Sequence, residues 1–323
     1  MEKKDNSDSN KNPTERPRQP TSLQGLLKFA MEATKAEDAP CDSTMTPMDP
    51  ERQKFLEEAL KNMTVNVGEE LVNSIKTITD PASSEDDQVE ALETINHYIL
   101  NIDQADNFHK IGGFCILKPC LNSRYQSVRT ETAALIAELA QNNPYCQQHL
   151  LENNMLQELT PLLTQPEPVC TRAMSAISAM VTNFPPGMEN LFSSGEIDKI
   201  VAVLVSRKEN RLITKVTFFL SAIPGCHPEF VDKFLDMGIM KYLSGHILPV
   251  TRGDLEDSQL SNKLQNILLA TVNFCAHNRA RDDLRFTAAD LPGRLQEIAK
   301  VARSDEAFAE IQESAEKLLK LLK

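Results

Sequence analysis

This chain contains three clear copies of one helical sequence pattern, spaced about forty residues apart. Each copy begins with a long segment of small and aliphatic residues that ends at an Asn or a Pro. Two shorter apolar segments follow it. The clearest copies cover residues 132–163, 173–204 and 216–243, and weaker ones cover 89–117 and 263–272. One such unit cannot cover its own apolar face, so neighbouring copies must stack and share one elongated core.

The period and the residue usage together predict an all-α fold. Aromatic residues make up only 5% of the chain and Trp is absent, whereas strands are enriched in aromatic and β-branched residues. A long helix followed by two short ones, repeated at this period, is typical of armadillo and HEAT repeats. We therefore expect an armadillo/HEAT-like right-handed helical solenoid over residues 51–323, with about four to five repeats between capping helices at 51–79 and 293–323. Positive φ is expected where the short helices of a unit meet, at Gly113, Gly195 and Gly238.

The first fifty residues differ in composition from the rest. Residues 1–20 are polar and charged, which predicts a disordered tail. Residues 21–34 form a short apolar stretch at helical spacing, and residues 35–50 are predicted to be a linker. The chain start lacks the apolar centre of a secretory signal, and seven cysteines without a CxxC pair indicate reduced thiols. A cytoplasmic monomer is expected, and nuclear residence is left open.

The charge and the reactive residues argue against several functional classes. A formal charge of −12 makes nucleic acid and anionic membranes poor partners. The six histidines show no metal-ligand spacing, and the chain contains no phosphate-binding glycine loop and no nucleophile elbow. Acidic runs fall in predicted linkers, where solvation is the simpler explanation. The sequence therefore predicts no catalytic residue, no metal and no cofactor, and a protein that is not an enzyme.

A stacked solenoid presents its long helices along a concave face, which suits an extended protein partner. Polar and cationic residues recur at equivalent places in the predicted long helices. These residues are Arg129, Arg172, Lys215 and Lys263, with Asn142, Asn143, Asn183 and Asn273 near the helix ends. Arginine suits bidentate contacts with carboxylates at interfaces. The alternative interpretation is that these side chains are solvated or cap helices.

Several segments, in the same order along the chain, resemble a known family. They are Leu23–Ala30 (LQGLLKFA), Leu100–Phe108 (LNIDQADNF), Ala140–Pro144 (AQNNP), Arg172–Val181 (RAMSAISAMV), His227–Glu229 and Met237–Gly238. They are similar to the cytosolic armadillo-type nucleotide-exchange factors of the seventy-kilodalton heat-shock chaperone, the heat-shock-protein-70-binding protein and Fes group. The chain departs from the pattern in lacking Trp near its start and in having a longer, more polar stretch at 244–262.

This resemblance implies a co-chaperone that binds the ATPase domain of a heat shock protein 70 chaperone and weakens its hold on ADP. Matching positions place Ala105 and Lys215 on the chaperone-facing surface, where a small residue at 105 would allow close approach, and Asn107 is expected to bind there as well. The recurring Arg129, Asn142, Asn143, Arg172 and Asn183 would join them there. The apolar residues implied to help client release are Leu23, Leu26, Leu27 and Phe29, and the alternative is that this segment docks on its own solenoid.

Two other interpretations stay open at this point. The chain could be a generic armadillo scaffold that binds another extended partner, such as a transport signal or an adhesion tail. Peptide-binding members of that class line their groove with regularly spaced Trp, so the absence of Trp disfavours this interpretation. A regulatory subunit of an enzyme, built on the same solenoid, is the third hypothesis.

Overall fold

The computed structural model describes residues 66–323 together with Lys54. Within this range, Val67–Lys323 forms one compact unit, and its regular secondary structure is helical throughout. The α-helices are α1 Val67–Thr79, α2 Glu85–Ile99, α3 Ile102–Lys110, α4 Leu117–Leu121, α5 Gln126–Ala140, α6 Pro144–Glu152, α7 Met155–Leu159, α8 Val169–Val181, α9 Pro185–Ser193, α10 Ile197–Ser206, α11 Asn210–Cys226, α12 Val231–Asp236, α13 Ile239–His246, α14 Arg252–Glu256, α15 Ser258–Phe274, α16 Asn278–Thr287, α17 Leu291–Ala302 and α18 Ala309–Leu321. Short 3-10 segments lie at Gly113–Ile116, Thr160–Thr164, Pro228–Phe230 and Glu306–Phe308.

The helices form repeating units of one long helix followed by two shorter ones. Five such units run through the described residues, namely α2–α4, α5–α7, α8–α10, α11–α13 and α15–α17. Each long helix packs against the long helix of the next unit, so α2, α5, α8, α11 and α15 form one layer. Helix α1 packs on α2 at one end, and α18 packs on α15 and α17 at the other. The predicted helical solenoid of about four to five repeats is confirmed.

Small residues in the long helices permit close packing within this layer. Ala133 on α5 and Ala173 and Ala176 on α8 are fully buried, and these two helices pack together along their length. Larger aliphatic side chains such as Leu135 and Ile177 fill the surrounding space and are also fully buried. Burial of one such side chain contributes about 1.5–3 kcal/mol. Because each unit repeats this arrangement, the core is continuous from one unit to the next.

Left-handed backbone marks the junction between the short segments of four units. The junction residues Gly112, Asn154, Gly195 and Gly238 have φ of +86°, +56°, +74° and +75°. Glycine adopts this conformation at no steric cost, and asparagine tolerates it. Positive φ is confirmed at Gly195 and Gly238, but the prediction for Gly113 is wrong because the turn residue is Gly112. Gly113 is constrained differently, since a Cβ there would overlap the Phe108 ring.

The described cysteines are free thiols, and most of them are buried. Burial raises the pKa of Cys120 to about 11 and the pKa values of Cys146 and Cys275 to about 12. These thiols therefore stay protonated at neutral pH and pack as small apolar side chains. Across residues 66–323, no helix is both long and apolar enough to cross a membrane.

Candidate protein-binding surface

Two adjoining depressions lie on the layer of long helices. The larger one, of about 470 Å³, is called the cationic groove here and is lined by parts of α8, α11 and α15 that include Thr171, Arg172, Arg211, Lys215, Gln259 and Asn262. The smaller one, of about 260 Å³, is called the Phe218 recess and lies between α8 and α11. Ser175 and Lys215 line both depressions, so the groove and the recess form one continuous surface.

Three cations line the cationic groove without a partner. Arg172, Arg211 and Lys215 are exposed, and none of them forms a side-chain hydrogen bond or an ion pair with another described residue. The described residues that line the groove include no Asp or Glu. Arg172 and Lys215 belong to the series predicted from the sequence, whereas Arg211 was not predicted. Its position four residues before Lys215, on the same face of α11, is the signal that could have identified it.

The Phe218 recess adds an exposed aromatic side chain to this surface. Phe218 is 58% exposed, and the opposite wall on α8 is built from small residues such as Ser175 and Ala179. An aromatic side chain beside a cation is a common composition for protein interfaces. This role could not be predicted from the sequence, because Phe218 adjoins the fully buried Phe219 and a pair of phenylalanines in a helix usually indicates core.

Asn142 and Asn183 occupy equivalent positions just after α5 and α8. Both are exposed, both line the Phe218 recess, and their φ angles are +52° and +57°. Asparagine is among the few residues other than glycine that adopt this backbone conformation readily. Their first role is therefore to turn the chain at the end of a long helix, and this turn places their side chains at the edge of the recess.

Two further cations of the predicted series are already engaged within the solenoid. The Arg129 guanidinium donates to Gln165 Oε1 at 3.0 Å and to the carbonyl oxygen of Ser123 at 2.6 Å. Lys263 Nζ donates to Asn210 Oδ1 at 2.9 Å, and burial lowers the pKa of Lys263. Both side chains link neighbouring parts of the solenoid.

The remaining asparagines of the series have structural partners. Asn143 is 4% exposed and caps α6, because its Oδ1 accepts from the backbone N–H of Cys146 at 3.1 Å. Its Nδ2 donates to Asp106 Oδ1 at 3.0 Å, which joins α6 to α3 of the preceding unit. Asn273 Nδ2 donates to the carbonyl oxygen of Ser221 at 2.8 Å. For Asn143, the alternative interpretation as a helix cap is confirmed.

The expectation that Ala105 lies on an exposed surface is wrong. Ala105 is 2% exposed because its side chain points into the core from α3, the short first helix that follows α2. Asn107, two residues further along α3, is exposed. The residues predicted to help client release lie outside the described residues; they are Leu23, Leu26, Leu27 and Phe29.

Ionisable residues in the described part of the chain form no metal site, and two of the histidines interact. No three or more His, Cys, Asp or Glu residues there are grouped to hold a metal ion. His109 stacks on His149 with 4.0 Å between ring centroids, and its Nδ1 lies 2.8 Å from the Tyr145 hydroxyl. Burial, and then the proximity of His149, lower the pKa of His109. These rings form a packing contact between α3 and α6.

The fold defines a class of protein. Stacked units of one long helix and two short ones, which share one elongated core, form an armadillo-type repeat protein. The designed armadillo repeat protein YIII(Dq)4CqI has a similar solved structure, with a TM-score of 0.61 at 20% sequence identity, covering 78% of this chain and 100% of that one. This likeness confirms the armadillo-type fold.

Sequence comparison identifies the family. A family model described as the SIL1/FES1/HPBP1 C-terminal domain matches residues 104–239, and one described as nucleotide exchange factor Fes1 matches residues 23–108. The chain belongs to the SIL1/FES1/HPBP1 family, as the resemblance of its segments predicted.

Relatives of known name agree with this family. Hsp70-binding protein 1 of Rattus norvegicus is 28% identical over 243 residues, which cover 70% of this chain and 67% of that protein. Hsp70 nucleotide exchange factor FES1 of Coccidioides immitis (strain RS) is 22% identical over 206 residues, which cover 58% of this chain and 97% of that protein. The chain therefore spans about two thirds of the length of Hsp70-binding protein 1 and nearly all of FES1.

Proposed function

We propose that this chain is a nucleotide exchange factor for a heat shock protein 70 (Hsp70) chaperone and is not an enzyme. The observation that carries the proposal is that two models of one family follow each other along the chain, from residue 23 to residue 239. The names of the relatives, Hsp70-binding protein 1 and Hsp70 nucleotide exchange factor FES1, support the same activity.

Nucleotide exchange by this route requires binding and no chemistry. If the solenoid binds the nucleotide-free chaperone more tightly than the ADP-bound chaperone by some factor, linkage requires that it lowers ADP affinity by the same factor. The layer of long helices offers an extended surface for such a partner. The proposed contacts are the predicted residues whose side chains are exposed, namely Asn107, Asn142, Arg172, Asn183 and Lys215.

The decisive measurement is the release of fluorescent ADP from a purified Hsp70 chaperone, with and without this protein. We expect micromolar concentrations of the protein to accelerate release, and to do so in proportion to the fraction of chaperone bound. An unchanged release rate, under conditions where a known exchange factor accelerates it, would contradict the proposal. Binding without acceleration would instead favour a scaffold that attaches to the chaperone.

We further propose that the N-terminal apolar segment aids client release. Leu23, Leu26, Leu27 and Phe29 would bind weakly by themselves, but a tethered segment acts at an effective concentration of roughly millimolar. Deletion of residues 21–31 is expected to preserve ADP release and to slow the release of a labelled client peptide. Equal loss of both activities would contradict this division of roles.

The proposal also covers the oligomeric state of the protein, its cellular location and the partners that it does not bind. The protein is proposed to act as a monomer in the cytoplasm, without metal or cofactor and without nucleic acid or membrane as partners. Its formal charge of −12 supports the exclusion of polyanionic partners. Light scattering of the purified protein and imaging of a fluorescent fusion test these points, and a dimer or a membrane-bound signal would contradict them.

A further inference from the structure

Unpaired arginines, such as the two in the cationic groove, are unusual in the described part of this molecule. Across residues 66–323, every arginine other than Arg172 and Arg211 donates at least one side-chain hydrogen bond. The chain carries 46 acidic residues against 34 Lys and Arg, so acidic partners are abundant elsewhere on its surface. The only two unpaired arginines of this range nevertheless line one groove, together with the unpaired Lys215.

The position of these cations lowers the stability of the free protein. Arg211 and Lys215 lie four positions apart on one face of α11, where like charges repel. Arg172 and Arg211 also lie near the N-terminal ends of α8 and α11, where the helix dipole disfavours cations, and neither helix has an acidic residue in its first turn. An arrangement that repels itself and has no internal partner is best explained by an external anion.

The shape and lining of the surface indicate what carries that anion. The cationic groove spans three helices with a volume of about 470 Å³, which exceeds the size of a single small ion. Its remaining lining includes the hydroxyl and amide side chains of Thr214, Gln259 and Asn262, which can bond to a peptide backbone. The exposed Phe218 adjoins it and offers an apolar contact. Separated cations, amides and an aromatic ring together match a polypeptide surface.

We propose that the cationic groove binds the carboxylates of an acidic polypeptide segment on the protein partner, through Arg172, Arg211 and Lys215. Guanidinium groups bind carboxylates in bidentate geometry, which gives register as well as attraction. This inference rests on the proposed function, because it takes the chaperone to be the partner that carries the acidic segment. The order of the long helices places the three cations in adjacent units, so the bound segment runs across α8 and α11.

The test uses the full chain and a fluorescein-labelled polyglutamate peptide, with binding followed by fluorescence anisotropy. We expect the triple variant Arg172→Glu, Arg211→Glu, Lys215→Glu to bind this peptide at least about tenfold more weakly, since a hydrogen bond to a charged group is typically worth that much or more. Binding by the unmodified protein is expected to weaken steadily as salt is raised. Unchanged binding in the triple variant would refute the inference.

A matched control separates the groove from the net charge. Lys241, Lys300 and Lys317 are exposed lysines on α13, α17 and α18 that form no ion pair with described residues. Changing all three to Glu alters the net charge by the same amount. Because none of these lysines lines the groove and exposed charges are screened by salt, peptide affinity is expected to stay within about twofold. An equal loss in both triple variants would show a general charge effect and would overturn the groove assignment.

A second peptide tests whether the groove variant is still folded. The groove variant with three glutamates is expected to bind a labelled polylysine peptide more tightly than the control variant does. Both variants should keep the far-ultraviolet circular dichroism of the unmodified protein. If inorganic phosphate displaces polyglutamate much more strongly than chloride does at the same ionic strength, the groove takes phosphate instead of carboxylate, and the inference is overturned.

ADP release distinguishes this inference from the proposed function. If the unmodified protein accelerates ADP release and the groove variant does so equally well, the groove inference fails and the proposed function stands. If the unmodified protein binds polyglutamate through the groove but never accelerates ADP release, the proposed function fails and the groove stands as an acidic-peptide site. If the groove variant loses both polyglutamate binding and acceleration of ADP release while the control variant keeps them, the groove inference and the proposed function are both supported.

Discussion

Asn143 joins two repeat units, and its replacement gives a quantitative test of the packing described above. Its Oδ1 caps α6 by accepting from the Cys146 N–H at 3.1 Å, and its Nδ2 donates to Asp106 at 3.0 Å. Loss of an N-cap costs about 1 kcal/mol. Loss of the amide donor leaves a partly buried carboxylate without this partner, which costs about 1–3 kcal/mol. Asn143→Ala is therefore expected to lower the free energy of unfolding by about 2–4 kcal/mol.

Two further substitutions divide this cost between its causes. Asn143→Ser keeps an oxygen that can cap α6 but removes the donor to Asp106, so it should recover about 1 kcal/mol relative to Asn143→Ala. Asn143→Asp also keeps the cap but places a second carboxylate beside Asp106, so its stability should improve as the pH falls and one of the two becomes protonated. Thermal and urea unfolding, followed by circular dichroism at neutral and mildly acidic pH, measure both effects.

The control for this series is Asn107→Ala on α3, since Asn107 is exposed and has no capping role. This variant is expected to unfold within about 0.5 kcal/mol of the unmodified protein. The reasoning would be refuted if Asn143→Ala unfolded within the same margin. A loss in Asn143→Ser as large as that in Asn143→Ala would show that the cap contributes nothing and that the Asp106 contact accounts for the effect.

Three further predictions follow from the same structure. Ala105→Arg should lower the free energy of unfolding by about 2–4 kcal/mol, because it inserts a large cation into the core, whereas Asn107→Arg should not; equal melting temperatures would contradict this. The Arg207 guanidinium holds the pKa of Glu209 to about 2, so stability present above about pH 4.5 should be lost as the pH falls toward 2, and less so in Glu209→Gln. Burial lowers the pKa of His109, so the unfolded chain binds a proton more readily and stability should fall below about pH 6.5; a flat profile, or the same slope in His109→Gln, would contradict it.

The fold was predictable because the repeat constrains many residues at once. A period of about forty residues fixes the order of long and short helices, and one misread residue does not disturb it. The assignment of Gly113 illustrates the limit of this approach. Two adjacent glycines are interchangeable in a sequence pattern, but only Gly112 has positive φ, while Gly113 makes room for the Phe108 ring. The difference depends on a contact between α3 and the following turn, which the pattern does not contain.

The candidate surface was predictable only in part, because burial of single residues depends on neighbours distant in sequence. A small residue such as Ala105 suits both a tight interface and a core, and the packing of α3 decides in favour of the core. Phe218 shows the opposite case, since a phenylalanine beside the buried Phe219 has the sequence signature of a core residue and yet is 58% exposed. In both cases the helical pattern identifies the helix, and the orientation of that helix on its neighbours decides which face is open.

The cations that recur along the long helices fall into two groups, those bonded within the solenoid and those without a partner. Comparing the two groups distinguishes structural from binding roles better than any one residue can. Arg129 and Lys263, at the two ends of the series, are hydrogen-bonded to Gln165 and Asn210 of adjacent segments. Arg172 and Lys215, in the middle of the series, have no such partner. A partner that engages the solenoid at its centre would supply the missing anions, and this is why the charge reversals at Arg172, Arg211 and Lys215 test the surface more directly than changes at either end.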